Sequence, residues 1–223
     1  MSFSALAWLL IPLIGALPFF IISKLNFLDS CFEAMSGFTA TGLTMFTDVE
    51  SLPRSLLFWR SLTEWVGGIG IIVLMLAIIA RPGMAATRLY VSEARTEKLE
   101  PTIRGTARDI WWIYCSYTLM GILLFYLLGM PIFDSVNNAM TAIATGGFSV
   151  KNGSIEAYKS FSSEVEAIFM MILGMTSFAV HNKLLRGYFR EFIDSIEVRF
   201  MLALILIFTL FIFLDLTIKT NTP

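Results

Sequence analysis

Charge is what this sequence has little of. Only 15% of its 223 residues are charged, against about 25% in soluble globular chains, so a water-facing surface cannot be covered and a soluble domain is excluded. Lys+Arg 16 stand against Asp+Glu 17, a net charge of −1. Without a basic excess, nucleic acid is not an expected partner. The single histidine, His181, rules out an HExxH metal site. The two cysteines, Cys31 and Cys115, lie 84 positions apart in apolar surroundings and fit neither a disulfide framework nor a metal-ligand spacing, so both are expected to be packed thiols. No Lys or Arg precedes Lys24, so the first apolar run lacks the basic start of a signal peptide and reads as a span. What is present is apolar: 57% hydrophobic and 14% aromatic residues, with a mean hydropathy of +0.75. The solvent for such a chain is a bilayer.

A hydrocarbon core about 30 Å thick needs about 20 apolar helical residues. Five stretches approach this: Ala5–Ile22, 55–80, 110–131, 167–182 and 200–214. Ten of the sixteen Lys and Arg fall in 81–108 and 183–199, which places both segments, and the N-terminus, on the cytoplasmic side of the plasma membrane. The segments 22–54 and 132–166 are then outside.

Those two outer segments carry a gapless repeat at a spacing of 105. Residues 27–44 read FLDSCFEAMSGFTATGLT and residues 132–149 read IFDSVNNAMTAIATGGFS, with Asp29/Asp134, Ser30/Ser135, Ala34/Ala139, Met35/Met140 and Gly42/Gly147 identical. Asp-Ser opens each copy as an expected N-cap, and Ser30 with Glu33 matches a capping box. A helix from there to the glycine would span about 17 Å, half a bilayer. It is followed by TATGL (39–43) or ATGGF (144–148). Backbone outside helices is tolerated at membrane depth only where it is buried in protein or lines a water-filled cavity. The expectation is therefore a re-entrant pore helix and an ascending loop whose carbonyls replace the hydration shell of a monovalent cation. The bland alternative is an interfacial helix capped by a glycine turn.

These stretches, together with FWRSLTEWVGGIG at 58–70, resemble the Trk/Ktr potassium transporter family, related to the plant HKT transporters. The resemblance implies an all-α integral membrane protein built from helix/pore-loop/helix units as in potassium channels, here with five transmembrane helices and two re-entrant pore helices. It divides the chain into a first unit (1–80), a cytoplasmic linker (81–108), a second unit (109–192) and the first helix of an incomplete third unit (193–223). Potassium would be coordinated by the backbone carbonyls of Ala40, Thr41 and Gly42 and of Thr145, Gly146 and Gly147. Gly42 points to potassium, because serine at that place accompanies sodium preference in plant relatives. Ala40 departs from the threonine found in many members. The family's pore has four such loops, so this chain corresponds to about half a subunit. The alternatives are assembly of two copies as a homodimer, or a non-conducting fragment or partner that needs other chains. A cytoplasmic nucleotide-binding regulatory subunit is an implied partner, docking on 81–108 and 186–197. No cofactor beyond the transported K⁺ is implied.

Arg60 and Glu64 stand four apart near the outer end of the second span, where an i,i+4 pair is expected to brace the first loop. Gly67, Gly68 and Gly70 suggest close helix packing, since no strand precedes them as a nucleotide loop would need. The five tryptophans are expected to act as interfacial aromatics. Asp29, Asp134 and Asp215 all lie near expected interfaces, leaving no acidic pair at mid-span, so enzymatic chemistry is not expected.

Overall fold

The structure is a computed structural model that describes residues 2–70, 103–185, 187 and 195–220. Among these residues every regular element is helical. The order is α1 (Ser2–Ile22), α2 (Phe27–Phe38), α3 (Arg54–Ile69), α4 (Ile103–Leu127), α5 (Ile132–Ile143), a 3₁₀ turn at Ser154–Tyr158, α6 (Phe161–Met175), α7 (Phe178–Leu185) and α8 (Ile196–Thr220). Three helices are long and apolar enough to cross a membrane, over Ala5–Ile22, Gly105–Leu127 and Ile196–Thr217. They answer to the first, third and fifth expected spans.

The other two spans differ from expectation. The second begins as α3, and its remainder, 71–80, lies outside the described residues, as does 81–102 of the linker. The fourth is two helices, because α6 ends at Met175 and α7 starts at Phe178. Thr176 and Ser177 between them barely change the mean hydropathy of the stretch, so a hydropathy reading runs straight across the break.

The chain forms two units, Met1–Met175 and Thr176–Pro223. In the first unit α1, α2 and α3 pack together, α4, α5 and α6 do likewise, and α3 joins the two triplets by packing on α4 and α5. The short helices α2 and α5 have 12 residues each, about 18 Å, too short to cross a bilayer. α2 buries Ser30, Glu33, Ala34, Gly37 and Phe38, the i, i+3, i+4, i+7, i+8 stripe of a helix lying against protein.

Both short helices begin earlier than their Asp-Ser pairs suggest. Asn26 caps α2, its side-chain oxygen accepting from the Asp29 N–H, and Pro131 precedes α5. Ser30 and Ser135 are already inside their helices, where their hydroxyls donate to the Asn26 and Pro131 carbonyls. The expected capping box does not form. Glu33 is withdrawn from the helix start and buried, for a reason the neighbouring loops supply.

The triplets are held by the same contact made twice. A β-carbon on Gly67 of α3 would overlap the carbonyl oxygen of Phe38, the last residue of α2, and one on Gly174 of α6 would overlap the carbonyl of Ile143, the last residue of α5. Glycine is required at both because backbone meets backbone there. Phe38 and Ile143 are 105 apart while the glycines are 107 apart, so the connection before α6 is two residues longer than the one before α3. Gly68 likewise lies against Ala144 and the Tyr114 hydroxyl, as the glycine-rich run implies. Cys31 and Cys115 are free thiols.

Candidate functional site

The residues after α2 and α5 take matching conformations. Thr41 N–H donates to Ser36 O and Ala40 N–H to Gly37 O. The second copy repeats this with Gly146 N–H to Thr141 O and Thr145 N–H to Ala142 O. These pairs are Schellman closures, which place the residue after the cap in the left-handed region. That residue is Ala40 (φ 50) in one copy and Thr145 (φ 54) in the other. α4 ends by the same bond pattern, with Gly129 N–H to Tyr126 O and Met130 N–H to Phe125 O, and uses a glycine at φ 93. Two residues further on, Gly42 (φ 77) and Gly147 (φ 105) are left-handed as well, while Thr41 and Gly146 between them are not. Among the described residues, the backbone carbonyls of Ala40, Thr41, Gly42, Thr145, Gly146 and Gly147 accept no hydrogen bond.

The two loops touch. A β-carbon on Gly42 would overlap the Gly146 carbonyl, whereas one on Gly147 would meet nothing within 4 Å. All six residues singled out from the sequence therefore occupy two adjoining loops. Thr41, Thr145 and Gly147 are exposed, and Gly146 is buried.

Arg60 and Glu64 both reach these loops, although they do not pair with each other as the i,i+4 spacing suggested. Arg60, 2% exposed, donates from Nε to Glu33 Oε1 at 2.8 Å, from Nη1 to the Ser149 carbonyl at 3.0 Å and from Nη2 to Thr44 Oγ1 at 3.1 Å. Its guanidinium lies 4.2 Å from the centroid of the Phe148 ring. Glu33 accepts in turn from the Thr44 hydroxyl and the Met45 N–H. One guanidinium thus holds the first loop through Glu33 and Thr44 and the second through Ser149. Glu64 accepts the Phe148 N–H on both oxygens, at 3.0 and 3.1 Å, and its carboxyl occupies the space a Gly146 side chain would need. A full guanidinium fork between helices outcompetes a single i,i+4 contact, because a buried charge must satisfy all its donors.

Glu33, which the sequence places in a capping box, is instead the acid that ties Arg60 to the first loop. The signal was present: it lies on the same helical stripe as Ala34, Gly37 and Phe38, a place where an acid needs a buried partner. Farther out, Asn152 clasps the two loop ends, accepting the Val49 N–H at 2.8 Å and donating to Asp48 Oδ1 at 2.8 Å. Its amide holds the Asp48 carboxyl below the usual carboxylate range. Lys151 adds an exposed ion pair with Glu50. Two tryptophans prove to be ties between helices: Trp59 donates to the Gly15 carbonyl of α1 and Trp65 to the Thr118 hydroxyl of α4.

Comparison with known proteins gives consistent matches. A family model described as TrkH, cation transport protein, matches residues 5–222. The chain is 43% identical over 221 residues to an uncharacterized cation transporter of Methanocaldococcus jannaschii, covering 99% of this chain and 45% of that protein. It is 36% identical to the Trk system potassium uptake protein TrkH of Escherichia coli, over 90% of this chain and 44% of that one. The crystal structure of the potassium transporter TrkH from Vibrio parahaemolyticus superimposes with a TM-score of 0.65 at 31% identity, covering 79% of this chain and 36% of that chain. The chain spans less than half the length of the curated relatives it matches.

Proposed function

We propose that this chain, which belongs to the TrkH family of cation transport proteins, supplies half of a potassium-conducting pore. The observation that supports this most is the pair of loops in which Ala40 and Gly42, and Thr145 and Gly147, are left-handed at matching positions while six carbonyls are left without hydrogen-bond partners. Alternating the sign of φ turns successive carbonyls toward one side of the chain and N–H groups toward the other. A row of unpaired carbonyls at membrane depth is costly unless a cation takes the place of the missing donors. Potassium is the ion taken up by the Trk system proteins TrkG and TrkH of Escherichia coli, which this chain resembles.

In this reading Ala40, Thr41, Gly42, Thr145, Gly146 and Gly147 form part of a selectivity filter, and Arg60, Glu64 and Glu33 hold it from behind. Preorganised carbonyls discriminate by replacing the hydration shell of one ion at little reorganisation cost. Two loops make half a ring, and the other half comes from the part of the relatives that this chain does not match. The N-terminus is on the cytoplasmic side of the plasma membrane, following the basic segments 81–108 and 183–199. A cytoplasmic nucleotide-binding regulatory subunit docks on that same side.

The test is ion flux into liposomes. In a subunit completed with the matching second half of a relative, Gly42→Ser is expected to lower the K⁺ over Na⁺ flux ratio severalfold, and an unchanged ratio would remove Gly42 from the ion path. The 223-residue chain by itself is expected to give no flux. Selective flux that Gly42→Ser abolishes would instead mean that copies assemble into a complete filter.

A further inference from the structure

The internal repeat places Glu166 of α6 where Trp59 stands in α3. α3 begins at Arg54 and α6 at Phe161, and their glycine contacts are also 107 apart, so the two residues are equivalent. In the first triplet the Trp59 indole is partly buried against the Ala16, Phe19, Ala34 and Leu56 core and donates to the Gly15 carbonyl of α1, closing the junction between α1 and α3. In the second triplet the shorter glutamate leaves the junction between α4 and α6 open. A groove of about 370 Å³ remains, with Leu124, Leu127 and Leu128 on one wall and Phe161 and Val165 on the other. Glu166 lines it and is 8% exposed, and its buried Oε1 has no hydrogen-bond partner among the described residues.

We propose that this groove is a lipid site for a phospholipid whose headgroup carries a primary ammonium. The groove's walls are leucine, phenylalanine and valine side chains, so an acyl chain is an occupant they suit. A buried carboxyl oxygen without a partner is costly, and the charge complementary to a carboxylate is a cation that arrives with its own apolar tail. A primary ammonium can donate hydrogen bonds to Oε1. A quaternary choline cannot, since it has no N–H, and an anionic headgroup is repelled. The groove lies at the C-terminal end of α4 and the N-terminal end of α6, within reach of a headgroup at the membrane boundary.

Native mass spectrometry of the full 223-residue chain, released from micelles containing equal phosphatidylethanolamine and phosphatidylcholine of identical acyl chains, tests the site. The expected result is retention of the ethanolamine lipid severalfold over the choline lipid. Glu166→Gln should abolish that preference, and Glu166→Trp, which recreates the closure of the first triplet, should abolish retention altogether. Circular dichroism confirms that both variants keep their helices. Equal retention of the two lipids, or a preference that survives Glu166→Gln, overturns the proposal. A two-chain mass that Glu166→Trp splits would assign the groove to a second copy and overturn it as well.

Discussion

Ala40 and Thr145 occupy a position that α4 gives to Gly129. A side chain in the left-handed region costs roughly 1–2 kcal/mol, so each loop begins with a strained residue where glycine would relax it. Ala40→Gly and Thr145→Gly are therefore expected to leave thermal stability in micelles unchanged or raise it by up to about 1 kcal/mol. Gly42→Ala should act in the opposite direction and lower it by about 2 kcal/mol or more, because a β-carbon there is both strained and in collision with the Gly146 carbonyl. Gly147→Ala meets open space and should show the smaller loss due to φ alone. Equal losses at Gly42 and Gly147 would contradict the contact between the loops. Arg60 is the other residue whose neighbours fix its effect. Removing one member of a buried ion pair costs about 3–5 kcal/mol, since the other is left uncompensated. Arg60→Met should show this loss in equilibrium unfolding, and adding Glu33→Gln should recover a substantial part of it. Strict additivity of the two changes would refute the pairing.

At the scale of elements, the crossings of α3 over α2 and of α6 over α5 are one device used twice. Gly67→Ala and Gly174→Ala should each destabilise by about 1–3 kcal/mol, because backbone atoms cannot move aside as a flexible side chain does. Urea midpoints that fall by similar amounts for both would match the repeat. A loss confined to one would show that the two triplets are not packed alike. α2 and α5 start before their Asp-Ser pairs, at caps Asn26 and Pro131. Asp-Ser has the chemistry of a cap, yet Asn26 is the cap of α2, and Ser30, Glu33 and Ala34 are buried within the helix. Burial of the stripe decides the helix phase, and the capping contact, worth about 1 kcal/mol, follows.

At the scale of the molecule, the low charge and the apolar stretches demand a membrane, and the uneven placement of Lys and Arg is what the proposed sidedness rests on. A cysteine introduced at Thr96, outside the described residues, is expected to react with an impermeant maleimide only from the cytoplasmic face of intact cells. Labelling from outside would invert the topology. The interruption at Thr176 and Ser177 bears on the same picture, since the fourth apolar stretch is a pair of helices, α6 and α7, and its length does not by itself establish a span.

The sequence alone showed the repeat at a spacing of 105 and five apolar stretches, three of which are long apolar helices among the described residues; these are properties of local composition and periodicity, which survive in one dimension. The all-helical pore-loop class and the loop residues at 40–42 and 145–147 were implied by the family resemblance that those motifs carry. Only the tertiary structure decided that Arg60 pairs with Glu33 across 27 positions and reaches Ser149 across 89, that Glu64 holds Phe148, and that Glu166 stands open where Trp59 is closed. Those outcomes depend on which buried donor finds which acceptor once α3 lies between α2 and α5. A charge taken out of water binds the partner that packing brings to it, whatever the number of residues between them.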